Sequence, residues 1–157
     1  MTAPPGGVRT PSRGTSPTRI LLAVRDSASS LRAARQAIGV AVAAGCPLLA
    51  VTVVRDGAVE LALARATRDP TGALRHREAA APILRHVLTL ARAAGVEAEG
   101  RELRAEPGPG ILRAARDWAA DLVVVGRGEG RDPRHGYLGD VALHVLELAD
   151  VPVLLVP

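Results

Sequence analysis

The sequence contains no lysine and no phenylalanine, and its 157 residues include one tryptophan, one tyrosine and one cysteine. A single cysteine, Cys46, excludes a disulfide framework and a cysteine-based zinc site. Trp118 and Tyr137 are the only aromatic residues, so the chain lacks the stacking platforms on which single-stranded nucleic acid binds. These absences argue against an RNA-binding module and against a secreted disulfide scaffold.

An excess of charge of one sign is also missing from most of the chain. The net charge is +4, and Arg9 and Arg13 in the first eighteen residues supply two of the positive charges. The remainder is nearly balanced, which predicts no nucleic-acid partner. No apolar run reaches the length of a membrane span, and the N-terminal segment has no signal-peptide hydrophobic region. We therefore expect a cytoplasmic protein with no membrane partner.

Composition divides the chain into a tail and one domain. Residues 1 to 18 consist mainly of Pro, Gly, Ser, Thr and Arg and have almost nothing to bury, which predicts a disordered tail. Residues 19 to 157 are long enough to bury a full core. A single domain over residues 19 to 157 is the expectation.

Short aliphatic runs alternate with segments of helical period through this domain. The runs lie at residues 19 to 24, 47 to 54, 96 to 103, 121 to 126 and 151 to 157. Continuous aliphatic runs are typical of parallel strands buried on both faces. The run at 96 to 103 is charged and alternating, so we expect it at an edge. The order predicts an α/β fold with an open parallel sheet and right-handed crossovers.

Four segments between the runs have one apolar face at helical spacing. The predicted inward residues are Leu31, Ala34, Ile38 and Val42; then Leu84, Val87, Leu88 and Ala91; then Ile111, Ala115 and Trp118; and last Val141, Val145 and Leu148. Gly45 and Gly95 are predicted stops. Residues 58 to 66 are compatible with a short helix, residues 68 to 72 indicate a turn, and Pro82 is expected to start or kink the helix that follows.

Polar and glycine-rich segments follow three of the predicted strands. Arg25, Asp26 and Ser27 follow the first, Val53 lies at the end of the second, and a loop from Gly126 to Asp140 follows the fourth. Ligands of open α/β sheets bind beyond the carboxyl ends of the strands, where the strand order reverses. Glycine lets the backbone approach a phosphate, and a following helix offers unpaired N–H groups. A solvated connection explains the glycines nearly as well.

With these segments assembled, the chain resembles the universal stress protein family over nearly all of residues 19 to 157. The matching pieces are RILLAVRDSASSLRAARQAI, ILRAARDWAADLVVVGRG and GYLGDVALHVLELADVPVLLVP. The resemblance implies an open five-stranded parallel sheet of order 3-2-1-4-5 with helices on both faces, of the Rossmann type seen in adenine-nucleotide α-hydrolase-like proteins. It also implies a homodimer through the last strand, here residues 151 to 157.

Some members of that family bind ATP or AMP and others bind no nucleotide. In binders the loop has glycine, two residues, glycine, nine residues, then glycine followed by serine or threonine. Gly126 and Gly139 match the outer positions, but Glu129 occupies the middle position and Asp140 the hydroxyl position. Binders also carry an aspartate at the end of the first strand, where this chain has Arg25 followed by Asp26.

The resemblance then implies which residues would contact an adenine nucleotide. Val53 matches the apolar position that packs on adenine. The phosphate-binding candidates are Gly126, Arg127, Gly128, Gly139, Asp140 and Val141, with Arg25 and Asp26 near the adenine and ribose. Asp140 can also act as a cap of the last helix, and Asp26 or Ser27 as a cap of the first.

Three functions remain open at the level of sequence. The preferred one is a non-catalytic, homodimeric stress-response domain that acts through unidentified protein partners and has a degenerate nucleotide site, with no cofactor required. The alternative is a sensor that binds ATP or AMP, with Mg²⁺ able to join Asp140 to phosphate. An ATP-hydrolysing enzyme is least favoured, because the residues suggest neither a positioned base nor a metal-ligand set, and the histidines are not spaced as ligands.

Overall fold

The computed structural model describes residues 16–55, 57, 62, 65–66, 70–128 and 138–157. Strands and helices alternate through these residues. In chain order the elements are β1 (Ile20–Ala23), α1 (Ala28–Ala44), β2 (Leu48–Val54), α2 (Pro70–Ala93), β3 (Ala98–Arg104), α3 (Pro107–Asp117), β4 (Leu122–Gly126), α4 (Asp140–Leu148) and β5 (Val153–Val156). The predicted tail up to residue 15 and most of the predicted helix at 58 to 66 lie outside the described residues.

The five strands form one parallel sheet of order β3-β2-β1-β4-β5. This confirms the predicted fold class, strand order and the edge position of the charged strand. Each predicted strand differs from the observed one by no more than two residues at either end. The order reverses between β1 and β4, so the carboxyl ends of β2, β1 and β4 lie side by side.

Helices cover both faces of the sheet and define two apolar layers. On one face α1 and α2 pack against β1 and β2, around fully buried residues such as Leu22, Leu48 and Val87. On the other face α3 and α4 pack against a second cluster that includes Leu21 and Val145. The central strands are therefore buried on both sides, as their continuous aliphatic runs predict.

Helix α1 packs against the sheet through alanines. Its buried side chains include Ala33, Ala34, Ala37 and Ala41, and its ends are fixed by an N-cap at Ser27 and a left-handed C-cap at Gly45 with φ of 63°. Alanine brings the helix backbone close to the strands and sets which stripe faces inward. Val42 lies beside that stripe and is 54% exposed, so its predicted inward position is wrong.

The end of α4 departs from the prediction in the same way. Leu148 is 54% exposed, whereas Val145 is fully buried and Val141 is half-buried. Leu148 is the last residue of a helix only nine residues long. The apolar layer that buries Val145 does not include Leu148 among its described residues.

Helix α2 is longer than the sequence indicates. Residues 70 to 72, predicted as part of a turn, form its first turn, and Pro82 lies inside it rather than at its start. Pro70 is the first residue of the helix. Proline is well suited to that position because its fixed φ matches the helix and its missing N–H is not needed there. Beyond Pro82, burial of Ile83, Val87 and Ala91 holds the helix on the sheet despite the lost hydrogen bond.

The start of the described chain is tied to the amino end of β4 by one carboxylate. Asp121 accepts hydrogen bonds from the Thr18 N–H at 2.9 Å, the Thr18 hydroxyl at 2.6 Å and the Arg19 N–H at 2.9 Å. Burial alone raises the pKa of Asp121, but these hydrogen bonds outweigh it and hold the pKa below its ordinary value. The Arg19 guanidinium lies over the Trp118 ring at 4.8 Å, which closes the same corner.

Two glycines provide a matched test of this packing. A Cβ added at Gly126 would lie 2.8 Å from the Ser29 carbonyl carbon, whereas one added at Gly39 meets nothing within 4 Å. We expect Gly126→Ala to lower the free energy of unfolding by about 1–3 kcal/mol through overpacking. Gly39→Ala should raise it by about 0.5–1 kcal/mol through helix propensity. Urea denaturation measures both, and equal effects of the two substitutions would contradict the close approach at Gly126.

The Asp121 anchor predicts an acid-dependent loss of stability. Because its folded-state pKa is lowered, the stabilisation is complete above the unfolded pKa of about 4 and is lost as pH falls through the folded value. Asp121→Asn should therefore melt below the wild type at neutral pH, and the two melting temperatures should converge below about pH 4. Asp117→Asn, in an exposed pair with Arg113 at 4.0 Å, is the control and should change little. A constant gap across pH would contradict the assignment.

Candidate functional site

Three of the segments singled out in the sequence meet at the carboxyl edge of the sheet. Strand β1 leads into Arg25, β2 ends at Val54, and β4 ends at Gly126. Since β2, β1 and β4 are neighbours in the sheet, their following residues lie at adjacent positions along one edge. This edge includes the point where the strand order reverses, the usual ligand position in open α/β sheets.

The turn after β1 is held by hydrogen bonds of two serines. The Arg25 N–H donates to the Ser30 hydroxyl at 3.2 Å, and the Ser30 N–H donates to the Ser27 hydroxyl at 3.2 Å. Ser27 is therefore the N-cap of α1, while Arg25 and Asp26 are both exposed. The cap leaves the side chains of Arg25 and Asp26 available to solvent at this edge.

Gly126 lets β4 run directly against the first turn of α1. Its added Cβ would fall 2.8 Å from the Ser29 carbonyl carbon and 3.0 Å from the Ser30 N atom, both backbone atoms that cannot swing away. Only glycine fits this contact without a shift of the backbone. Gly126 therefore fixes where the following loop starts relative to the end of β1.

The two ends of the glycine loop meet each other through the backbone. The Gly139 N–H donates to the Arg127 carbonyl at 2.9 Å, and the Arg127 N–H donates to the Val156 carbonyl at 2.7 Å. Gly128 has φ of +88° and its added Cβ would lie 3.3 Å from the Gly139 Cα. The two ends of the loop, at residues 127–128 and at Gly139, therefore lie side by side. Residues 129 to 137, which include Glu129, lie outside the described residues.

Helix α4 begins beside this closed loop. Gly139 is its N-cap, with φ of −63° and ψ of 149°, and Asp140 is its first helical residue. The interpretation of Asp140 as the cap is therefore wrong, because no side chain caps this helix and the carboxylate projects from the first turn instead. Asp140 is exposed and Val141 is half-buried against the second apolar layer.

The end of β2 supplies an apolar position next to these polar groups. Val53 is half-buried, and its Cγ1 lies 3.7 Å from the Cβ position of Gly110 in α3. Arg55 follows at the edge, where its guanidinium lies 3.7 Å from the Glu106 carboxylate. Part of the basic charge near Val53 is therefore already paired.

Two contacts of the site were missed from the sequence. Ser30, which orients the β1 turn, reads in the sequence as one of three ordinary helix-start serines. Glu106, which pairs with Arg55, is separated from it by 51 positions and gives no local signal. Both contacts depend on how the folded chain brings these residues together, not on their spacing in the sequence.

Among the described groups with shifted pKa values, Glu99 and Arg101 form a pair within β3, where their hydrogen bond lowers the pKa of Glu99 and raises that of Arg101. The other two, Cys46 and Asp121, lie at the opposite edge from the candidate site. Burial, reinforced by the Asp121 charge, raises the pKa of the Cys46 thiol, and Asp121 has its lowered pKa at the start of β4. Both are at the amino edge of the sheet. Within the described part of the chain, no three His, Cys, Asp or Glu side chains are placed to hold a metal ion together.

The strand order shows that the protein is an open, parallel α/β domain. Its candidate binding site lies where the strand order reverses. A model of the universal stress protein family matches residues 17–157. The chain therefore belongs to the universal stress protein family.

Solved structures of the same family share the fold. A universal stress protein from Archaeoglobus fulgidus is 25% identical with a TM-score of 0.69, over 89% of this chain and 98% of its own. A universal stress protein in complex with cAMP is 24% identical with a TM-score of 0.67, over 91% and 98%. A family protein from Arabidopsis thaliana with AMP bound is 18% identical with a TM-score of 0.60, over 89% and 91%. No curated protein matches the chain significantly.

Among the described helices, none combines the length and the apolar character needed to cross a membrane. The described helices instead pack against the sheet, as the two apolar layers require.

Proposed function

We propose that this chain is a non-catalytic, homodimeric stress-response domain whose nucleotide site is degenerate, and that it acts through protein partners. The observation that carries the proposal is the position of Asp140. It opens helix α4 directly after Gly139, at the place where the backbone N–H groups of a helix start would hold a phosphate.

The carboxylate at that place opposes an incoming phosphate. A charge of the same sign about 4 Å away is repelled by roughly 1–4 kcal/mol, depending on the effective dielectric. That energy corresponds to a loss of affinity of about tenfold to a thousandfold. Asp140 is exposed, so solvent and salt screening place the effect toward the smaller end. In this proposal the backbone of the site is retained, but the Asp140 carboxylate makes phosphate binding electrostatically less favourable.

The groups near the edge also support a non-catalytic role. The Ser27 hydroxyl accepts the N-cap bond of α1, and the Ser30 hydroxyl accepts from Arg25, so both are engaged in holding the turn. Neither has a histidine or carboxylate within hydrogen-bond distance among the described residues. An activated nucleophile requires such a base, and these serines lack one in the described part of the site.

The last strand supports the proposed homodimer through residues 151 to 157. β5 pairs with β4 on one side. The Pro152 and Val156 carbonyls point toward β4, where they accept from Val123 and Arg127. By alternation the backbone groups of Val153 and Leu155 point to the outer edge, which a second copy can pair. Residues 151 to 157 are aliphatic or proline and include no charged side chain that would oppose pairing at this edge.

A nucleotide sensor is the second candidate, and the closed glycine loop favours it. Gly128 and Gly139 lie against each other, and Gly126 lies two residues before Gly128. Glycine lets a backbone approach a phosphate closely, which supports this alternative. Related structures were solved with AMP or cAMP. In this alternative Val53 packs on adenine, and a Mg²⁺ ion held by phosphate oxygens would use Asp140 as its protein ligand.

The charge of Asp140 can be tested with two neutral substitutions, of which asparagine keeps the shape of the side chain. We expect Asp140→Asn and Asp140→Ser to raise the affinity for AMP by about tenfold. Isothermal titration calorimetry without Mg²⁺ measures the change. Glu147→Gln makes the same change of charge in the last turn of α4 and should leave affinity unaltered. Tight AMP binding by the unmodified chain would instead support the sensor.

The dimer can be tested separately by light scattering after size exclusion. The unmodified chain should elute as a dimer, and Val153→Pro should shift it toward monomer because proline removes an outward N–H from the β5 edge. Circular dichroism of the variant checks that the helices remain folded. A monomeric wild type at about 100 μM, where a standard-size interface of even weak affinity is populated, would refute the dimer.

A further inference from the structure

A threonine hydroxyl takes part in the anchor that ties the start of the domain to β4. The Thr18 Oγ1 donates to the Asp121 Oδ2 at 2.6 Å, and the N–H groups of Thr18 and Arg19 donate to the same carboxylate at 2.9 Å. The carboxylate attracts these donors because none of them carries a negative charge. An anionic group on the Thr18 oxygen would remove one donor and place two negative charges against each other.

This hydroxyl is accessible for modification in the folded chain. Thr18 is exposed, and residues 16 to 18 belong to no helix or strand. Residues 1 to 25 contain four arginines and no acid, so the Asp121 carboxylate reaches Thr18 only through the fold. An enzyme that takes up this segment has to break the hydrogen bonds to Asp121, but no part of β1 has to leave the sheet.

A phosphate on Thr18 would also compete for the neighbouring guanidinium. The Arg19 guanidinium lies over the Trp118 ring at 4.8 Å and donates to the Trp118 carbonyl at 3.0 Å. Both partners are uncharged, whereas a phosphate offers the guanidinium a stronger, charge-assisted hydrogen bond. Modification therefore acts on this corner twice, by repulsion at Asp121 and by competition at Trp118.

We propose that Thr18 is a phosphorylation site and that a phosphate there releases the start of the domain from β4. The co-reactant is a nucleoside triphosphate used by a protein kinase. The Thr18 oxygen forms a bond to the γ-phosphorus, the bond from that phosphorus to the nucleoside diphosphate breaks, and the hydroxyl proton passes to a base of the kinase. The product carries about −1.5 to −2 charges at neutral pH, beside the Asp121 carboxylate.

This inference concerns the amino edge of the sheet, so it does not rest on the proposed nucleotide site or on the dimer. Two native side chains report on the corner, because Trp118 is the only tryptophan and Cys46 the only cysteine. Cys46 is buried, and the Pro47 carbonyl next to it accepts from the Ile20 N–H. Release of Thr18 and Arg19 should therefore expose the Cys46 thiol and change the emission of Trp118.

The position of Cys46 directly after Gly45 allows the full chain to be assembled by native chemical ligation without any change of sequence. A synthetic segment of residues 1 to 45 carries phosphothreonine at position 18, and residues 46 to 157 are expressed. We expect the phosphate to lower the melting temperature by about 4 °C or more. It should also speed alkylation of Cys46 by about tenfold, the effect of losing one hydrogen bond to a charged group.

The matched control carries phosphothreonine at position 15, three residues earlier, and should melt and react like the unmodified chain. Asp121→Asn in the expressed segment tests the repulsion, because the phosphate on Thr18 then meets no carboxylate and should lower the melting temperature by less. Equal melting and equal alkylation with phosphate at position 18 and at position 15 would overturn the proposal. So would a phosphate effect that Asp121→Asn leaves unchanged.

The modification itself is tested on the chain purified from its own cells. Cleavage after Arg13 and Arg19 isolates residues 14 to 19, and fragmentation in the mass spectrometer assigns phosphate among Thr15, Ser16 and Thr18. We expect phosphate on Thr18. Phosphate confined to Thr15 or Ser16, or its absence from the peptide in both growing and starved cells, contradicts the assignment.

Discussion

The approach of Gly126 to the first turn of α1 is the contact on which the rest of the binding edge depends. A Cβ there would lie within 3.0 Å of three backbone atoms of Ser29 and Ser30, so the end of β4 and the start of α1 are fixed against each other. The Ser30 hydroxyl then holds the Arg25 N–H. From the same point the chain continues into Arg127, whose backbone joins β5 and α4. The contact at Gly126 and the backbone hydrogen bonds of Arg127 together connect β4, α1, β5 and α4.

This contact also separates two surfaces of different charge. On the side of β2, Arg55 pairs with Glu106, and Asp140 adds a negative charge at the start of α4. On the side of α1 and β5, Arg32 and Arg35 have no described acidic neighbour. Arg127 lies between the two surfaces.

The sequence was sufficient for the central strands because those aliphatic runs are buried on both faces, which leaves a continuous apolar pattern. The strand order came from the resemblance to the universal stress protein family. It was less informative where packing competes with local preference. Residues 70 to 72 have turn composition yet begin α2, since Pro70 fits a first turn. Val42 and Leu148 fit a helical spacing but lie outside the buried stripes of their helices. The sequence correctly predicts that Arg25 and Val53 lie at the carboxyl edge of the sheet. The ion pair between Arg55 and Glu106 could be found only from the folded structure.

Asp140 illustrates why fold stability and phosphate affinity oppose each other in this domain. A carboxylate in the first turn of a helix is favourable by about 0.3–1 kcal/mol, because it faces the positive end of the helix dipole. Gly139 gives α4 no side-chain cap. The Asp140 carboxylate therefore stabilises this end of the helix through its interaction with the helix dipole. The same carboxylate disfavours a bound phosphate by a comparable or larger energy. A neutral serine in its place would remove both charge effects, so Asp140 stabilises the start of the helix in the absence of a ligand.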